Sequence, residues 1–444
     1  MEIIIASILF LPVVVKCLLQ KKWYLYLFVS FYAILPDTFA FEISKNLPLI
    51  TVKRLIILMM LIVWLYKKEG MLSTKYIKIF NMYILAQLFI SIINLRYGFG
   101  EINRIFILVF ERFFPLVMVR DFIEDEEEFE RWFDYMIIAS MILAAIGIMQ
   151  TLVGIDVSVA FNLVDERVDS TLSDRMGMVR AKGLFNAIQY GCYCSFIIFI
   201  GFYKIINTKQ NRYVFCLIIN VIALLLSMSR SSIVALGIVF LIFLVNTRKK
   251  LLAPIIKYIP IIIAGVIVLL TVNKNILYVV TNVWNSMLKT IGFEVSVASI
   301  FGDNADGFIS RFMLFSAIPY MFNNTSAIFG LGYDAFVARR IYYYYPMFSK
   351  WDIANTLDVG LVAEFAIAGL VGMIATIIFF GGIFIEASNN KSSKLFDYNK
   401  FIKYIIGLYL VLNIFSSCMA SNIFWILIMM YYSNKKIMDG EKNV

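Results

Sequence analysis

The feature that most constrains the fold is a series of long apolar runs separated by short polar connections. The runs fall at about 3–19, 23–35, 52–66, 77–94, 103–119, 134–153, 184–206, 213–229, 232–246, 251–272, 359–385, 402–419 and 420–433. A helix needs about 20 residues to cross the hydrocarbon core of a bilayer, with a range of about 17–25. The runs therefore predict an all-α polytopic membrane protein with about 11–13 transmembrane helices, the range arising because the second and last runs are short.

Composition agrees with this prediction and excludes an ordinary soluble domain. Hydrophobic residues make up 61% of the 444 residues and charged residues only 16%, whereas soluble domains have about 45–50% apolar and about 25% charged residues. The formal net charge is +10, but most of the lysines lie in short loops, as the positive-inside rule produces. We therefore expect contact with a lipid bilayer and none with nucleic acid.

The basic loops also predict an orientation. Basic residues cluster at 67–75, 204–212, 248–250, 391–400 and 435–436. Placing all of these clusters in the cytoplasm is self-consistent from residue 52 to the C-terminus. The segments 154–179 and 273–357, and the tight turn that carries Arg230, then face outward. The acidic cluster 124–128 falls inside and is interpreted as a solvated helix start.

The chain divides into four segments on this basis. Residues 1–133 form N-terminal transmembrane helices, 134–272 central ones, 273–357 one large extracytoplasmic loop between late helices, and 358–444 C-terminal helices with a cytoplasmic tail. The loop is rich in aromatic residues, including Trp351 and the run 342–345, and its segment 308–318 has helical spacing of apolar positions. Such a loop fits either a sugar-binding surface or a packed cap, and Gly330 to Tyr333 predicts a turn.

Two arginines carry the first indication of function. Arg180 lies in Val179-Arg180-Ala181-Lys182-Gly183-Leu184-Phe185-Asn186, and Arg230 in Ser227-Met228-Ser229-Arg230-Ser231-Ser232, each beside apolar runs. A charge in a membrane is costly and usually functional, and the guanidinium fork binds phosphate through two hydrogen bonds. The competing explanation is that these side chains only reach to the interface. We favour an anionic ligand such as a lipid-linked phosphate or pyrophosphate.

Three further charged residues lie within one apolar run, at 103–119. Glu111 and Arg112 precede Pro115, and Arg104 lies seven residues before Glu111, on the same face of an α-helix. A buried structural ion pair explains these charges better than catalysis does, and Pro115 predicts a kink. Gly369 and Gly372, in a later run, predict close helix packing.

Four segments resemble motifs of one family, the O-antigen ligase and O-antigen/capsule polymerase superfamily. Residues 180–186 with Gly191 resemble its "R-x-x-G-x-F" signature, and residues 226–231 resemble the "S-R" turn that follows one helix later. Residues 310–336 resemble its "R…W…P-x-x-G-x-G…F" stretch, and residues 354–372 its "H-N-x-Y-L…E-x-G-x-x-G" segment. The resemblance covers roughly residues 135–433. Its strength lies in the order of the motifs and their placement in the topology.

The resemblance implies an activity and a set of site residues. It implies that Arg180, Lys182, Arg230, Arg311 and Asn355 bind an undecaprenyl-pyrophosphate-linked glycan at the outer face of the bacterial cytoplasmic membrane. Ligases of this superfamily carry a histidine near position 354, where this chain has Ala354, and the chain contains no histidine anywhere. The tryptophan expected shortly after Arg311 is also absent. These departures favour the polymerase branch, with a chain-length regulator and a flippase as candidate partners.

The catalytic base is left open among three carboxylates. An acceptor hydroxyl must lose its proton, and Asp352, Asp358 and Glu364 all lie near the predicted outer surface. No metal site and no cofactor are expected. The alternatives to a polymerase are an O-antigen ligase, against which the missing histidine argues, and a flippase or transporter of lipid-linked oligosaccharide. Transporters usually show internal repeats around a midplane site, and this chain shows none.

Overall fold

The computed structural model describes residues 50–67, 77–98, 100–154, 174–175, 178–185, 187–208, 210–247, 313–324, 327–333, 341–345, 350–353, 359–390, 397–416 and 421–441, together with residues 32, 35 and 40–41. These residues are mainly helical. The helices are α1 (Val52–Lys67), α2 (Lys78–Asn94), α3 (Gly100–Phe106), a π-helix (Ile107–Phe113), α4 (Phe114–Phe122), α5 (Glu126–Val153), α6 (Ala187–Thr208), α7 (Asn211–Leu226), α8 (Arg230–Thr247), α9 (Ala317–Asn324), α10 (Gly360–Asn389), α11 (Tyr398–Phe415) and α12 (Asn422–Glu441). Short 3-10 turns lie at Leu95–Tyr97 and Leu314–Ser316.

Three antiparallel two-stranded hairpins complete the described secondary structure. Strand β1 (Ala40–Phe41) pairs with β2 (Ile50–Thr51), β3 (Asp174–Arg175) with β4 (Met178–Val179), and β5 (Tyr342–Tyr345) with β6 (Lys350–Ile353). The first two hairpins pair two residues on each side, and the third pairs four. The predicted helix at 308–318 lies only partly within the described residues, where it consists of the turn Leu314–Ser316 and the beginning of α9.

Four helices within the described residues are long and apolar enough to cross a membrane. They are Lys78–Tyr97, Glu126–Val153, Ile188–Thr208 and Gly360–Asn389, and Asn211–Leu226 and Arg230–Asn246 are shorter apolar helices. Their outward surfaces carry exposed aliphatic and aromatic side chains, such as Leu85, Phe89, Ile142, Ile377 and Ile385. An apolar exterior of this kind is unusual on a soluble monomer. The helices are therefore compatible with a membrane protein, and the total of about 11–13 spans stays a prediction.

The acidic cluster before α5 has the structural role expected for it. Asp125 precedes the helix, and its side chain accepts a hydrogen bond of 2.7 Å from the Glu128 backbone N–H. An N-terminal carboxylate satisfies one of the unpaired N–H groups and interacts favourably with the helix dipole. The interpretation of these acids as a helix start is confirmed. The helix ends at Gly154, whose backbone is left-handed at φ 72°.

The helix before Pro115 widens into a π-helix, in which backbone hydrogen bonds span five residues instead of four. The Phe114 N–H bonds the Val109 carbonyl, five residues back. The Glu111 carbonyl, which Pro115 cannot bond because proline lacks an N–H, accepts a 2.7 Å hydrogen bond from the Tyr32 hydroxyl. The helix before Pro115 is thus a π-helix, and the kink predicted at Pro115 stays a prediction.

The buried ion pair predicted for Glu111 exists, but its partners were predicted incorrectly. Lys53 Nζ lies 2.9 Å from Glu111 Oε2 and Arg54 Nε lies 2.6 Å from Oε1, so α1 supplies both cations. Arg104 instead contacts Glu101 and Gln87. The prediction assumed α-helical rotation from residue 104 to 111, and the wider π turns rotate each residue less. Glu111 therefore faces α1 rather than Arg104.

Helix α10 is broken in its first half by the backbone of a loop segment. Gly369 has φ 63° and ψ −163°, and residues 327–332, called here the inserted segment, lie against the break. Leu331 N and Gly332 N donate to the carbonyls of Ala366 and Ile367 at 2.8 and 3.1 Å. On the other side of the break, the N–H groups of residues 370 and 371 donate to the carbonyls of residues 327 and 328 at 2.8 and 3.1 Å. The break therefore leaves these four backbone groups satisfied, which a membrane interior requires.

Glycines permit this insertion. A Cβ built on Gly330 would lie 2.6 Å from Gly369 N and from the carbonyl carbon and oxygen of Ile367. Gly330 and Gly332 are left-handed at φ 73° and 86°, so the predicted turn is confirmed. The close packing predicted for Gly369 also occurs, although between a loop and a broken helix rather than between two helices. Gly372 lies just after the break, where an added Cβ would be 3.4 Å from Ile90 Cδ1 and 3.7 Å from Gln87 Nε2, so the close helix packing predicted for it occurs against α2.

The packing order of the helices brings several N- and C-terminal ends together. Helix α10 packs against α2 on one side and α11 on the other, and α11 also packs against α8. The Gly360 N–H lies 3.4 Å from the Ser416 carbonyl, which joins the start of α10 to the end of α11. Under the predicted orientation, these ends and the start of α8 all face outward.

Candidate functional site

The two arginine motifs meet in the structure. Arg180 Nε donates a 2.9 Å hydrogen bond to the Ser227 carbonyl, 47 residues further along the chain. The next residue continues this contact, since the Ala181 N–H bonds the Leu226 carbonyl at 3.1 Å. Leu226 is the last residue of α7, Ser227 begins the turn between α7 and α8, and Arg230 is the first residue of α8. The segment 178–185 thus lies directly on the turn that carries the second arginine.

This turn has a specific backbone shape. Met228 is left-handed at φ 53°, an unusual conformation for a non-glycine residue. The Ser227 hydroxyl donates to the Leu224 carbonyl at 2.7 Å and accepts from the Ser229 N–H at 3.3 Å. Strained turns of this kind persist where their surroundings fix them, and they concentrate at functional sites. The conformation fixes the direction in which α8 begins, and with it the position of the Arg230 backbone.

A glutamine near the end of α5 fixes the loop after Arg180. Gln150 Oε1 accepts from the backbone N–H groups of Lys182 and Gly183 at 3.2 and 2.8 Å, and its Nε2 donates to the Gly183 carbonyl at 2.6 Å. Gly183 is left-handed at φ 56°. Arg180 and Lys182 are both largely buried. The backbone of this loop is therefore held by three hydrogen bonds with one side chain.

Small residues bring α6 against the same turn. A Cβ built on Gly191 would lie 2.5 Å from Ser229 Cβ and 2.8 Å from the hydroxyl oxygens of Ser229 and Ser232. Those two hydroxyls lie 2.8 Å apart, and Ser195 Oγ lies 3.2 Å from the Ser232 carbonyl. Gly191 thus lets α6 pack directly against Ser229 and Ser232 at the arginine turn.

The third predicted carboxylate, Glu364, lies in a separate buried polar network. Glu364 belongs to the first half of α10 and is 8% exposed. Its Oε1 accepts from Gln87 Nε2 at 3.0 Å, and Thr376 Oγ1 lies 3.5 Å away. Arg104 Nη2 donates to Gln87 Oε1. No hydrogen bond to Glu364 Oε2 is present among the described residues, so this oxygen is available to a further donor.

The same network is tied to the inserted segment. Glu101 accepts from the Tyr333 backbone N–H, and Arg104 Nη1 lies 3.9 Å from Glu101 Oε2. Asn94 Nδ2 donates to the Phe329 carbonyl at 2.8 Å. Side chains from α2 and α3 thus bind the backbone that fills the break in α10. The polar network is thus in direct contact with residues 329 and 333 of the large loop.

An aromatic cluster stands on the hairpin β5–β6. The Trp351 ring is 50% exposed and has Tyr320 and Tyr344 beside it, with ring centroids 5.4 and 5.5 Å away. Tyr342 lies 5.4 Å from Tyr320. Half of the Trp351 surface is therefore open to a further contact, and both interpretations of this loop stay predictions.

Several predicted site residues fall on parts of the chain that the structure does not describe. Arg311, Asn355 and Asp358 lie outside the described residues. Asp352 belongs to β6, where its backbone pairs with Tyr343, and its side chain is likewise outside the described set. Among the described residues, no group of three or more Cys, Asp or Glu side chains suits a metal ion. The described candidates therefore form two groups: Arg180, Lys182 and Arg230 around the α7–α8 turn, and Glu364 in the network of Gln87 and Arg104.

Two residues of this arrangement were missed by sequence reasoning. Gln87 and Gln150 are amides within apolar runs, and both are almost completely buried. A polar residue inside an apolar run was the available signal. Sequence alone does not say which partner such a residue meets. Their roles became visible only from the contacts with Glu364 and with the loop at Gly183.

Comparisons with known proteins add no family assignment. No protein-family model matches the chain, and a search of the curated proteins finds no significant match.

Proposed function

We propose that this protein polymerises undecaprenyl-pyrophosphate-linked oligosaccharide repeat units into O-antigen or capsular polysaccharide. The reaction takes place at the outer face of the bacterial cytoplasmic membrane. The observation that most supports the proposal is the docking of Arg180 on the Ser227 carbonyl, because it joins the two motifs that the resemblance assigns to pyrophosphate. The positive-inside pattern adds that both would face outward.

The proposed chemistry is a glycosyl transfer with lipid pyrophosphate as the leaving group. An acceptor hydroxyl oxygen on a new repeat unit bonds to the anomeric carbon of the growing chain. The bond from that carbon to the pyrophosphate oxygen breaks, and the oxygen keeps the electron pair. Arg180 and Arg230, with Lys182 beside them, stabilise the charge that develops there, as preset cations do. Arg311 and Asn355 remain further candidates for binding the same donor.

Of the three predicted carboxylates, Glu364 is the one whose side chain the structure describes, and it is our proposed general base. One carboxylate oxygen is fixed by Gln87 at 3.0 Å, which leaves Oε2 to accept the proton of the acceptor hydroxyl. A positioned base of this kind contributes about 10²–10⁴-fold to a rate. The reaction needs no nucleotide sugar and no cofactor. Its partners are the lipid-linked glycans and the bilayer, with a chain-length regulator and a flippase as candidate protein partners.

The first test uses cells that lack the gene, with and without the wild-type chain restored. A surface-glycan gel should lose its long ladder in the deletion strain, keep one repeat unit on the core, and recover with the wild-type chain. Loss of every repeat, with lipid-linked polymer accumulating in the periplasm, would indicate a ligase instead. Lipid-linked single units trapped at the cytoplasmic face would indicate a flippase.

Arginine variants then test the pyrophosphate site. Arg180→Ala and Arg230→Ala should abolish the long ladder while the protein stays in the membrane, and Arg180→Lys should also fail because lysine offers only a point charge. Arg96→Ala is the matched control, since Arg96 is an exposed arginine beyond the end of α2, on the same predicted outer side. Normal ladders from both alanine variants would refute the pyrophosphate site.

A further inference from the structure

A buried glutamine connects an arginine to the proposed base. Gln87 is 1% exposed within α2, Arg104 lies in α3, and Glu364 lies in α10. Gln87 Oε1 accepts from Arg104 Nη2, and Gln87 Nε2 donates to Glu364 Oε1 at 3.0 Å. The three side chains come from three different helices. Their meeting is therefore a property of the tertiary packing.

The chemistry of the two neighbours fixes which way the amide points. A guanidinium only donates hydrogen bonds, whereas an ionised carboxylate only accepts them. The Gln87 carbonyl must therefore face Arg104 and its NH₂ must face Glu364. A hydrogen bond to a charged acceptor is shorter and stronger than one between neutral groups. The arginine thus sets the orientation of the amide, and the amide holds one oxygen of the carboxylate.

We propose that Gln87 and Arg104 are positioning residues that hold Glu364 for proton abstraction from the acceptor hydroxyl. This proposal rests on the proposed polymerase function. By occupying Oε1, the amide directs Oε2 to the substrate, and Arg104 keeps the amide from rotating. Effective general bases must lie within hydrogen-bond reach of the proton that they remove, so loss of this restraint lowers turnover.

The positioning chain continues to the outer loop. Arg104 Nη1 lies 3.9 Å from Glu101 Oε2, and the Glu101 carboxylate accepts from the Tyr333 backbone N–H. Glu364 is therefore connected, through Gln87, Arg104 and Glu101, to the backbone of residue 333, next to the inserted segment. Placement of that segment in the break of α10 and placement of the base depend on the same polar contacts.

A carboxylate exchange separates positioning from a purely structural role. The variants are Gln87→Leu, Glu364→Gln, and the double variant Gln87→Glu with Glu364→Gln. In the double variant, the carboxylate at 87 accepts from Arg104 and from the new amide at 364. The buried hydrogen bonds and the charge balance are kept, but the carboxylate now stands on α2 instead of α10. If these residues have only a structural role, the double variant should regain both stability and rate. If Glu364 is a positioned base, the double variant should regain stability but not rate.

The measurements are the polymerisation rate and the thermal midpoint of the same preparations. Membrane vesicles carrying the strain's own lipid-linked repeat units give the rate per amount of folded protein, and a melt in detergent gives the midpoint. Gln87→Leu should lower the rate about 10- to 100-fold, the range for loss of a hydrogen bond to a charged group. The double variant should melt close to the wild type while its rate stays at the level of Glu364→Gln.

Each result decides the proposal. A Gln87→Leu rate within about twofold of the wild type, or a double variant that regains rate together with stability, overturns it. If Gln87→Leu does not accumulate, the double variant decides alone because it retains the hydrogen bonds. Failure of the wild-type chain itself to lengthen the glycan refutes the proposed function instead, so the two failures are distinguishable.

Discussion

Substitution of Gly330 by alanine tests whether the inserted segment really closes the break in α10. The new methyl group would lie 2.6 Å from Gly369 N and from Ile367 C and O. These are backbone atoms, so no side-chain rotation relieves the contact. The inserted segment must move away from α10 instead. Movement weakens the four backbone hydrogen bonds of 2.8–3.1 Å that join the two.

The expected magnitude has two parts. Alanine in a left-handed conformation costs about 1–2 kcal/mol. Loss of two of the four hydrogen bonds adds about 1–3 kcal/mol, at about 0.5–1.5 kcal/mol for each. The total destabilisation is therefore about 2–5 kcal/mol. The matched control is Gly154→Ala, because Gly154 has nearly the same φ of 72° and nothing within 4 Å of the added Cβ. Only the first part applies to the control.

Hydrogen–deuterium exchange of the protein in nanodiscs measures the difference directly. The amides of Leu370 and Val371 donate across the break to the inserted segment, so their exchange reports its detachment. A local loss of about 1–3 kcal/mol corresponds to exchange about 5- to 150-fold faster than in the control. If Gly330→Ala and Gly154→Ala give the same exchange at these two amides, the inserted segment does not close the break in α10.

Three further predictions follow from the other contacts. Glu111→Gln leaves its two α1 cations without their carboxylate and should cost about 3–5 kcal/mol, seen as a lower thermal midpoint. Glu127→Gln, which breaks only an exposed pair with Arg131, should cost at most about 0.5 kcal/mol. Gln150→Leu removes the three hydrogen bonds that hold the loop at Gly183 and should both destabilise the protein by about 2–4 kcal/mol and shorten the glycan ladder; an unchanged ladder would show that this loop has no part in activity. Trp351→Ala should lower the polymerisation rate with little change in the thermal midpoint, because the ring is half exposed, whereas Trp351→Phe should retain most of the rate if ring stacking is the cause.

The helices themselves were largely predictable from the sequence. The runs at 77–94, 184–206 and 359–385 correspond to Lys78–Asn94, Ala187–Thr208 and Gly360–Asn389. Hydropathy predicts such helices because each residue contributes to burial in lipid almost independently of its partners. The acidic helix start and the turn at Gly330 were predictable for a similar reason, since both are determined by a few adjacent residues.

The candidate site was only partly predictable. The composition of the motifs was enough to single out Arg180 and Arg230, because charges beside apolar runs are conspicuous. The ion-pair partner of Glu111 was predicted incorrectly, since α-helical spacing does not account for π turns. Gln87 carries no charge and has ordinary helix propensity. Nothing in its own run distinguishes it from an incidental polar residue.

The sequence by itself thus determined that the chain is helical, which segments are apolar enough for a bilayer, and which charges require an explanation. Only the tertiary structure decided that Arg180 lies on the turn before Arg230 and that Gln87 links Arg104 to Glu364. The same is true of the inserted segment in the break of α10. The physical reason is that burial is a property of each segment, whereas a hydrogen bond between distant residues depends on how helices pack. Packing is set by the shapes of whole surfaces, including Gly330 and Gly369, where two backbones touch, and Gly191, against which the Ser229 and Ser232 side chains pack.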